Sequence, residues 1–175
     1  NTGTAQRNTN LTTDESGPTG RCICFNGTSD YLTVEDHASI NFGTGDFSIA
    51  FWLCSARAAG TEEDILAKRT ATKGFVMNIS DTTSDFLFGI SDGAGWLVPS
   101  INTTMQDKEW KHCVITVDRS DSMYLYLNGV QAGPFSMFTG AGASGIIDVS
   151  DSLVIGKSPL ASSFYLHGAM DDVRL

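Results

Sequence analysis

Charge is scarce in this 175-residue chain. Asp, Glu, Lys and Arg make up 18% of it, and 11 basic side chains face 20 acidic ones for a net charge of −9. Phosphate backbones need a basic surface, so nucleic acid is excluded as a partner. Long apolar runs are missing as well. None approaches the ~18 residues of a membrane-spanning helix, so membrane insertion is not expected. Proline occurs four times and glutamate only five, as Glu15, Glu35, Glu62, Glu63 and Glu109. The four cysteines are too few for a disulfide scaffold. Cys22 and Cys24 stand two apart in a strand-like run and share a face, so they do not bridge each other. Cys113 sits in the apolar run CVITV, where a thiol behaves as a small hydrophobe. At least two of the four are expected to be buried thiols. His37, His112 and His167 are scattered and no cysteine pair has zinc-finger spacing, which argues against zinc. The chain opens on Asn1 without an initiator Met, as expected of a processed piece or of the ordered part of something longer.

What is present points to strands. Gly, Ser and Thr number 18 each, and 41% of the residues are hydrophobic, enough for a core crossed by many turns. Residues 1–20 hold no aromatic and a single Leu, so they read as a flexible N-terminal arm or linker, or an arm held by a neighbour. From residue 21 onward, short runs rich in Phe, Tyr, Val and Ile alternate with Gly, Asp, Asn and Ser clusters. CICF, YLTV, FSIAFWL, ILAKR, GFVMNI, FLFGI, KHCVITV, MYLYLNG, SLVIG and DVRL are each strand-length. Their spacing is that of an all-β antiparallel sandwich rather than of βαβ units. EDHASI reads as a 3₁₀ turn, and Asn128-Gly129 as a hairpin turn. N-glycosylation sequons occur at Asn10, Asn26, Asn78 and Asn102, in keeping with a secreted protein.

Alternation assigns faces. Cys113, Ile115 and Val117 form one side of 110–118; Met123, Leu125 and Leu127 line up opposite Tyr124 and Tyr126; Phe47, Ile49, Phe51 and Leu53 share a face opposite Trp52. Aromatic side chains on faces the core does not use are the first functional signal.

FNGTSDYLTV (25–34), INFGTGDFSIAFWL (40–53), ILAKR (65–69), EWKHCVITVDRSDSMYLYLNGVQAG (109–133), SLVIGK (152–157) and FYLHGAMDDVRL (164–175) occur in an order that resembles the concanavalin A-like lectin/glucanase superfamily. The likeness is to its laminin-G-like, pentraxin-related branch and covers residues 22–175. Cys113 departs from it, standing where the family generally has Val. The resemblance implies a jelly-roll of two curved antiparallel sheets over residues 21–175, with the chain ends adjacent. It also raises the laminarinase-type hydrolases, which carry their carboxylates as E-x-D-x-x-E on one strand face. No Glu here begins that spacing, and Glu62-Glu63-Asp64 read as a solvated acidic loop, so no enzyme is expected.

The resemblance further implies a structural calcium held by Asp171 with Asn26 or Asp30, or at the acidic loops 81–85 or 118–121. It implies a glycan site built on rings outside the core: Trp96, flanked by glycines, with Tyr124, Tyr126 and Trp52. Trp52, Trp110 and His112 match family positions that recur whatever the ligand, which favours packing as their role. The apolar, glycine-rich stretch 133–145 and residues 1–20 are candidates for self-association. The reading is a non-catalytic recognition or adhesion module, extracellular or on a cell or virion surface, with a glycan or glycoprotein as partner. The alternative is a structural or decoration subunit of a virion, phage appendage or extracellular fibre.

Overall fold

A computed structural model describes residues 4–6, 16–83, 85–136 and 142–175. Its strands are β1 (Thr4–Gln6), β2 (Ser16–Gly17), β3 (Gly20–Arg21), β4 (Ile23–Asn26), β5 (Tyr31–Val34), β6 (Phe47–Ser55), β7 (Glu63–Arg69) and β8 (Lys73–Ile79). Then come β9 (Phe86–Asp92), β10 (Ser100–Ile101), β11 (Lys111–Val117), β12 (Ser122–Leu127), β13 (Val130–Ser136), β14 (Leu153–Ile155) and β15 (His167–Arg174). Ala38–Ile40 form a 3₁₀ turn, where EDHASI predicts one.

The strands make two stacked antiparallel sheets. One runs β13-β12-β11-β6-β15-β4, the other β1-β5-β14-β7-β8-β9-β10, and β2-β3 is a separate hairpin. β14 inserts between β5 and β7, and β15 between β4 and β6, so late strands return beside early ones. This is the jelly-roll expected from the sequence.

Period-two patterning builds the core. In register, Ile115 faces Ile49 on one side and Leu125 on the other, and all three are fully buried. The second sheet answers with Phe75, Met77, Phe86, Phe88 and Ile90, each at most 2% exposed. Each such side chain stabilises the fold by about 1.5–3 kcal/mol relative to exposure. Phe42 stacks on Phe47 at 4.2 Å between centroids. Asn128 and Gly129 take φ of 51° and 79°, as a two-residue type I′ hairpin requires, and close the β12–β13 turn. Gly156, at φ 85°, follows β14 because any Cβ there would lie 2.5 Å from the Phe25 ring.

Two expectations change in detail. Within the expected arm, Thr4–Gln6 pairs with Tyr31–Thr33 of β5, and Ser16–Arg21 forms the β2–β3 hairpin. Backbone groups at the β5 edge accept β1 whatever its side chains, so composition does not foresee it. The expected loop 133–145 begins as strand: β13 pairs with β12 out to Ser136. Residues 137–141, with Met137 and Phe138 of that loop, lie outside the described residues.

Candidate functional site

The aromatic candidates do not converge. Trp52, Tyr124 and Tyr126 lie on the outer face of the six-stranded sheet, where register sets Trp52 beside His112, Tyr126 beside Val114 and Tyr124 beside Thr116. Trp52 and His112 are 4.9 Å apart at their ring centroids, Tyr124 and Tyr126 6.4 Å. Trp96 is on the opposite side of the sandwich. It lies on Gly89 of β9, takes the Arg69 guanidinium over its ring at 5.1 Å, and donates Nε1–H to the Ala71 carbonyl at 3.3 Å. Two sheets separate it from the other three rings.

The carboxylates expected to hold calcium are also apart. Asn26 stands opposite His167 in the β4–β15 ladder, and Asp171 is four residues further along, ~13 Å away. Asp171 is nearly buried under the β2–β3 hairpin, where its Oδ2 accepts the Thr19 N–H at 2.8 Å and the Thr19 hydroxyl at 2.9 Å. Asn26 Oδ1 accepts from the backbone of Thr28, Ser29 and Asp30, and Asp30 Oδ2 accepts the Asn26 N–H at 3.1 Å. These oxygens are occupied by N–H and O–H donors, which a cation would have to displace. The donor set does not fit a calcium ion, and among the described residues no three His, Cys, Asp or Glu side chains gather as metal ligands.

At the 118–121 loop the chain supplies its own cation. Arg119 is 9% exposed; its Nε donates to the Ala143 carbonyl at 3.0 Å, Nη1 to Gly43 at 3.4 Å and Nη2 to Gly145 at 2.6 Å. Asp46, Asp92 and Asp148 surround it, each anchored by backbone N–H groups of Arg119, Gly145 and Gly43. Burial lowers the Arg119 pKa from its ordinary value while the three aspartates oppose the shift.

The opposite end of β6 is organised by an acid that the sequence reading assigns to solvent. Glu63 is fully buried, not in a solvated loop: Oε2 accepts from Ser55 at 2.6 Å and Gln106 at 3.0 Å, and Oε1 from the His167 N–H at 2.7 Å. Its strand parity with Ile65 is the signal that could have placed it inside. Asp64 beside it is also buried. Desolvation raises its carboxyl to about 6, with the Ser158 hydrogen bond opposing and Glu62 adding to the rise. Arg57 spans this end: Nη2 donates to Gly27 O at 2.7 Å and Tyr165 O at 2.9 Å. Its Nε lies 3.5 Å from Glu63 Oε1, close enough for an ion pair but not aligned as a hydrogen bond. Gly27, at φ 75°, is required here, since a Cβ would sit 2.8 Å from Arg57 Nη2. Above Arg57 opens a cleft of about 440 Å³ lined by Thr61, Glu62, Asp81, Ser163 and Phe164 among others. A second cavity, of about 320 Å³, lies between the sheets with walls such as Phe25, Leu32, Ile155 and Met170.

None of the four cysteines is in a disulfide, and Cys22 and Cys113 are buried thiols, as expected. Cys24 and Cys54 flank Ala169 from either side, so a whole strand separates them, at ~9–10 Å, beyond disulfide reach. Burial pushes the Cys113 thiol up to about 12. Of the sequons, Asn26 and Asn102 are exposed, Asn78 is half-buried with its Nδ2 donating to Glu62, and Asn10 lies outside the described residues.

A family model described as the concanavalin A-like lectin/glucanases superfamily, of laminin G type, matches residues 26–175. No curated protein sequence matches the chain. Among solved structures, the chain is similar to the binding domain of Paraclostridial Mosquitocidal Protein 1, at TM-score 0.73 and 18% identity over 97% of this chain and 43% of that one. It is similar to the receptor binding domain of botulinum neurotoxin C/D mosaic serotype, at TM-score 0.74 and 12% identity over 98% of this chain and 42% of that one. It is also similar to botulinum neurotoxin type C, which depends upon interaction with two ganglioside molecules to enter cells, at TM-score 0.73, 14% identity, 98% and 42%. At these identities the likeness is one of fold, and this chain spans less than half the length of each.

Proposed function

Because the chain belongs to the laminin G branch of the concanavalin A-like lectin/glucanases superfamily, we propose that it is a non-catalytic recognition module. It works outside the cell, on a cell or particle surface, with carbohydrate as its ligand. The observation that carries this reading is the set of aromatic side chains left outside the core, Trp52, Tyr124 and Tyr126 on one face and Phe164 at the end cleft. Sugar rings stack their C–H faces on such planes, and neighbouring carboxylates and amides take the hydroxyls. That the fold neighbours are binding domains of toxins, one of them dependent on gangliosides, supports the same class of ligand. Hydrolysis would need two opposed carboxylates free to exchange protons with substrate. Glu63, the most buried acid among the described residues, has both oxygens engaged by Ser55, Gln106 and His167, which supports a binding rather than a catalytic role.

A glycan array, read in calcium and again in EDTA, tests this. Binding is expected in both conditions, because Arg119 already supplies the charge at its loop. A blank array with folded protein sinks the proposal.

A second reading, a structural or decoration subunit of a particle or fibre, is favoured by Cys54 and Cys113, which form no disulfide. Such a pattern suits a chain that folds in a reducing compartment before release. Sedimentation of the folded chain with and without residues 1–20 tests it: assembly lost on deletion supports the subunit, and a monomer throughout removes it.

A further inference from the structure

We propose that the cleft at the Arg57 end of the sandwich is the sugar subsite, taking a neutral, hydroxyl-rich pyranose residue. The inference rests on the carbohydrate reading above and says where on the molecule it is carried out.

Phe164 is the starting point. It is 39% exposed and has a φ of 61°, a left-handed conformation that costs a bulky residue about 1–2 kcal/mol. Packing does not explain that cost, since the ring belongs to none of the buried core. The strain is held by the backbone: Phe164 O accepts the Asp64 N–H at 3.0 Å, and the next carbonyl, Tyr165 O, accepts from Arg57. Strain of this kind, fixed by its surroundings and presenting a ring to solvent, is characteristic of ligand sites.

The rest of the cleft supplies what a sugar needs beside a ring face. Glu62 and Asp81 are acceptors for hydroxyl groups, and Thr61 and Ser163 offer hydroxyls of their own. Arg57 keeps one donor group in reserve: among the described residues its Nη1 makes no hydrogen bond, while its Nε is buried against Glu63. The volume, about 440 Å³, falls in the range of small-ligand clefts. One guanidinium against two carboxylates leaves the cleft net negative, which disfavours sialylated or sulfated residues and favours neutral ones.

The other places suit a sugar less. Trp96 already carries Arg69 over its ring and spends its N–H on Ala71, and Trp52 is in contact with His112. The inter-sheet cavity is walled mostly by apolar side chains, and of its acids Asp171 is taken by Thr19 and Asp172 by Arg174, so it offers a sugar few partners.

The test uses the full chain on an array carrying neutral, N-acetylated and sialylated glycans, followed by titration of the strongest neutral binder. Phe164→Gly removes the ring and relieves the strain, so its thermal midpoint should hold or rise while affinity falls by about tenfold or more. Asp81→Asn should weaken binding at unchanged fold, and the two losses together support the site. If the wild type binds and the loss follows Tyr124→Ala or Trp96→Ala, with Phe164→Gly unaffected, the cleft is overturned while the recognition module stands. Binding confined to sialylated glycans overturns the cleft as drawn. A wild type that binds nothing removes the carbohydrate reading, and the subsite with it.

Discussion

Two arginines stand at opposite ends of β6 and differ in how fully they are used. Arg119 gives each of its three nitrogens to a backbone carbonyl, sits among Asp46, Asp92 and Asp148, and is 9% exposed. Arg57 spends one nitrogen twice, on Gly27 and Tyr165, leaves the others without hydrogen bonds, and faces an open cleft with 24% of its side chain exposed. A guanidinium with every donor satisfied is a rivet between loops. One with donors unspent, beside a strained aromatic, is equipped to meet something else. Charge and residue type are the same; what separates the two is how many acceptors the backbone brings within reach.

Three experiments would break or sharpen that contrast. The largest effect is expected at the saturated end. Arg119→Ala strands three buried carbonyls, at about 1–3 kcal/mol for each acceptor left without its donor, and should cost about 3–5 kcal/mol in urea unfolding. Arg119→Lys should recover only part, because a point-charge ammonium cannot reach three carbonyls at once. A cost near zero for Arg119→Ala would dissolve the contrast.

The middle effect depends on pH and lies at the cleft end. Asp64 is raised by burial from its ordinary 3.8 to about 6, whereas the unfolded chain keeps the ordinary value. The fold therefore carries no penalty below about pH 4, gathers one as the pH climbs towards 6, and bears it in full above. Asp64→Asn should then stabilise the protein by about 1–3 kcal/mol at pH 8, with the gain fading by pH 4. A gain that is equal at both pH values would show that ionisation is not its source. The smallest effect belongs to Arg57→Met, whose partly exposed, half-satisfied group should cost about 1 kcal/mol while ligand affinity falls further than stability. Calorimetric unfolding beside a binding titration separates the two.

The architecture was legible because its cause is local. Alternation at 47–53 and 111–117 states which side chains are inside, and Ile49, Phe51, Cys113 and Ile115 are indeed fully buried. Asn128-Gly129 dictates its turn in two residues. The ends of the sandwich were not legible, because their logic is long-range. Nothing around Arg119 indicates that residues 43, 143 and 145 will cradle it. Glu63 sits in a run of acids that looks solvated until Ser55, Gln106 and His167 close around it. Phe164 resembles any strand-edge aromatic until its φ is known. The aromatic candidates chosen from sequence lie outside the core, yet neither parity within a strand, for Trp52, nor flanking glycines, for Trp96, says on which sheet a ring will rest. Trp96 and Trp52 therefore fell on opposite sides.

The ladder between β4 and β15 has a mechanical consequence. Ile23, where β4 begins, pairs with Met170 near the end of β15, so the path to each chain end leaves from the same edge. A pull on the two ends thus loads the pair in peeling geometry, one rung at a time, rather than in shear across all rungs together. The Thr19–Asp171 clasp lies ahead of the first rung and takes the load before any of them. Under tension this ladder behaves as a zip with a catch: once the β1–β5 pair and the Arg174–Ala50 rung have let go, the catch sets the force at which the ladder starts to open.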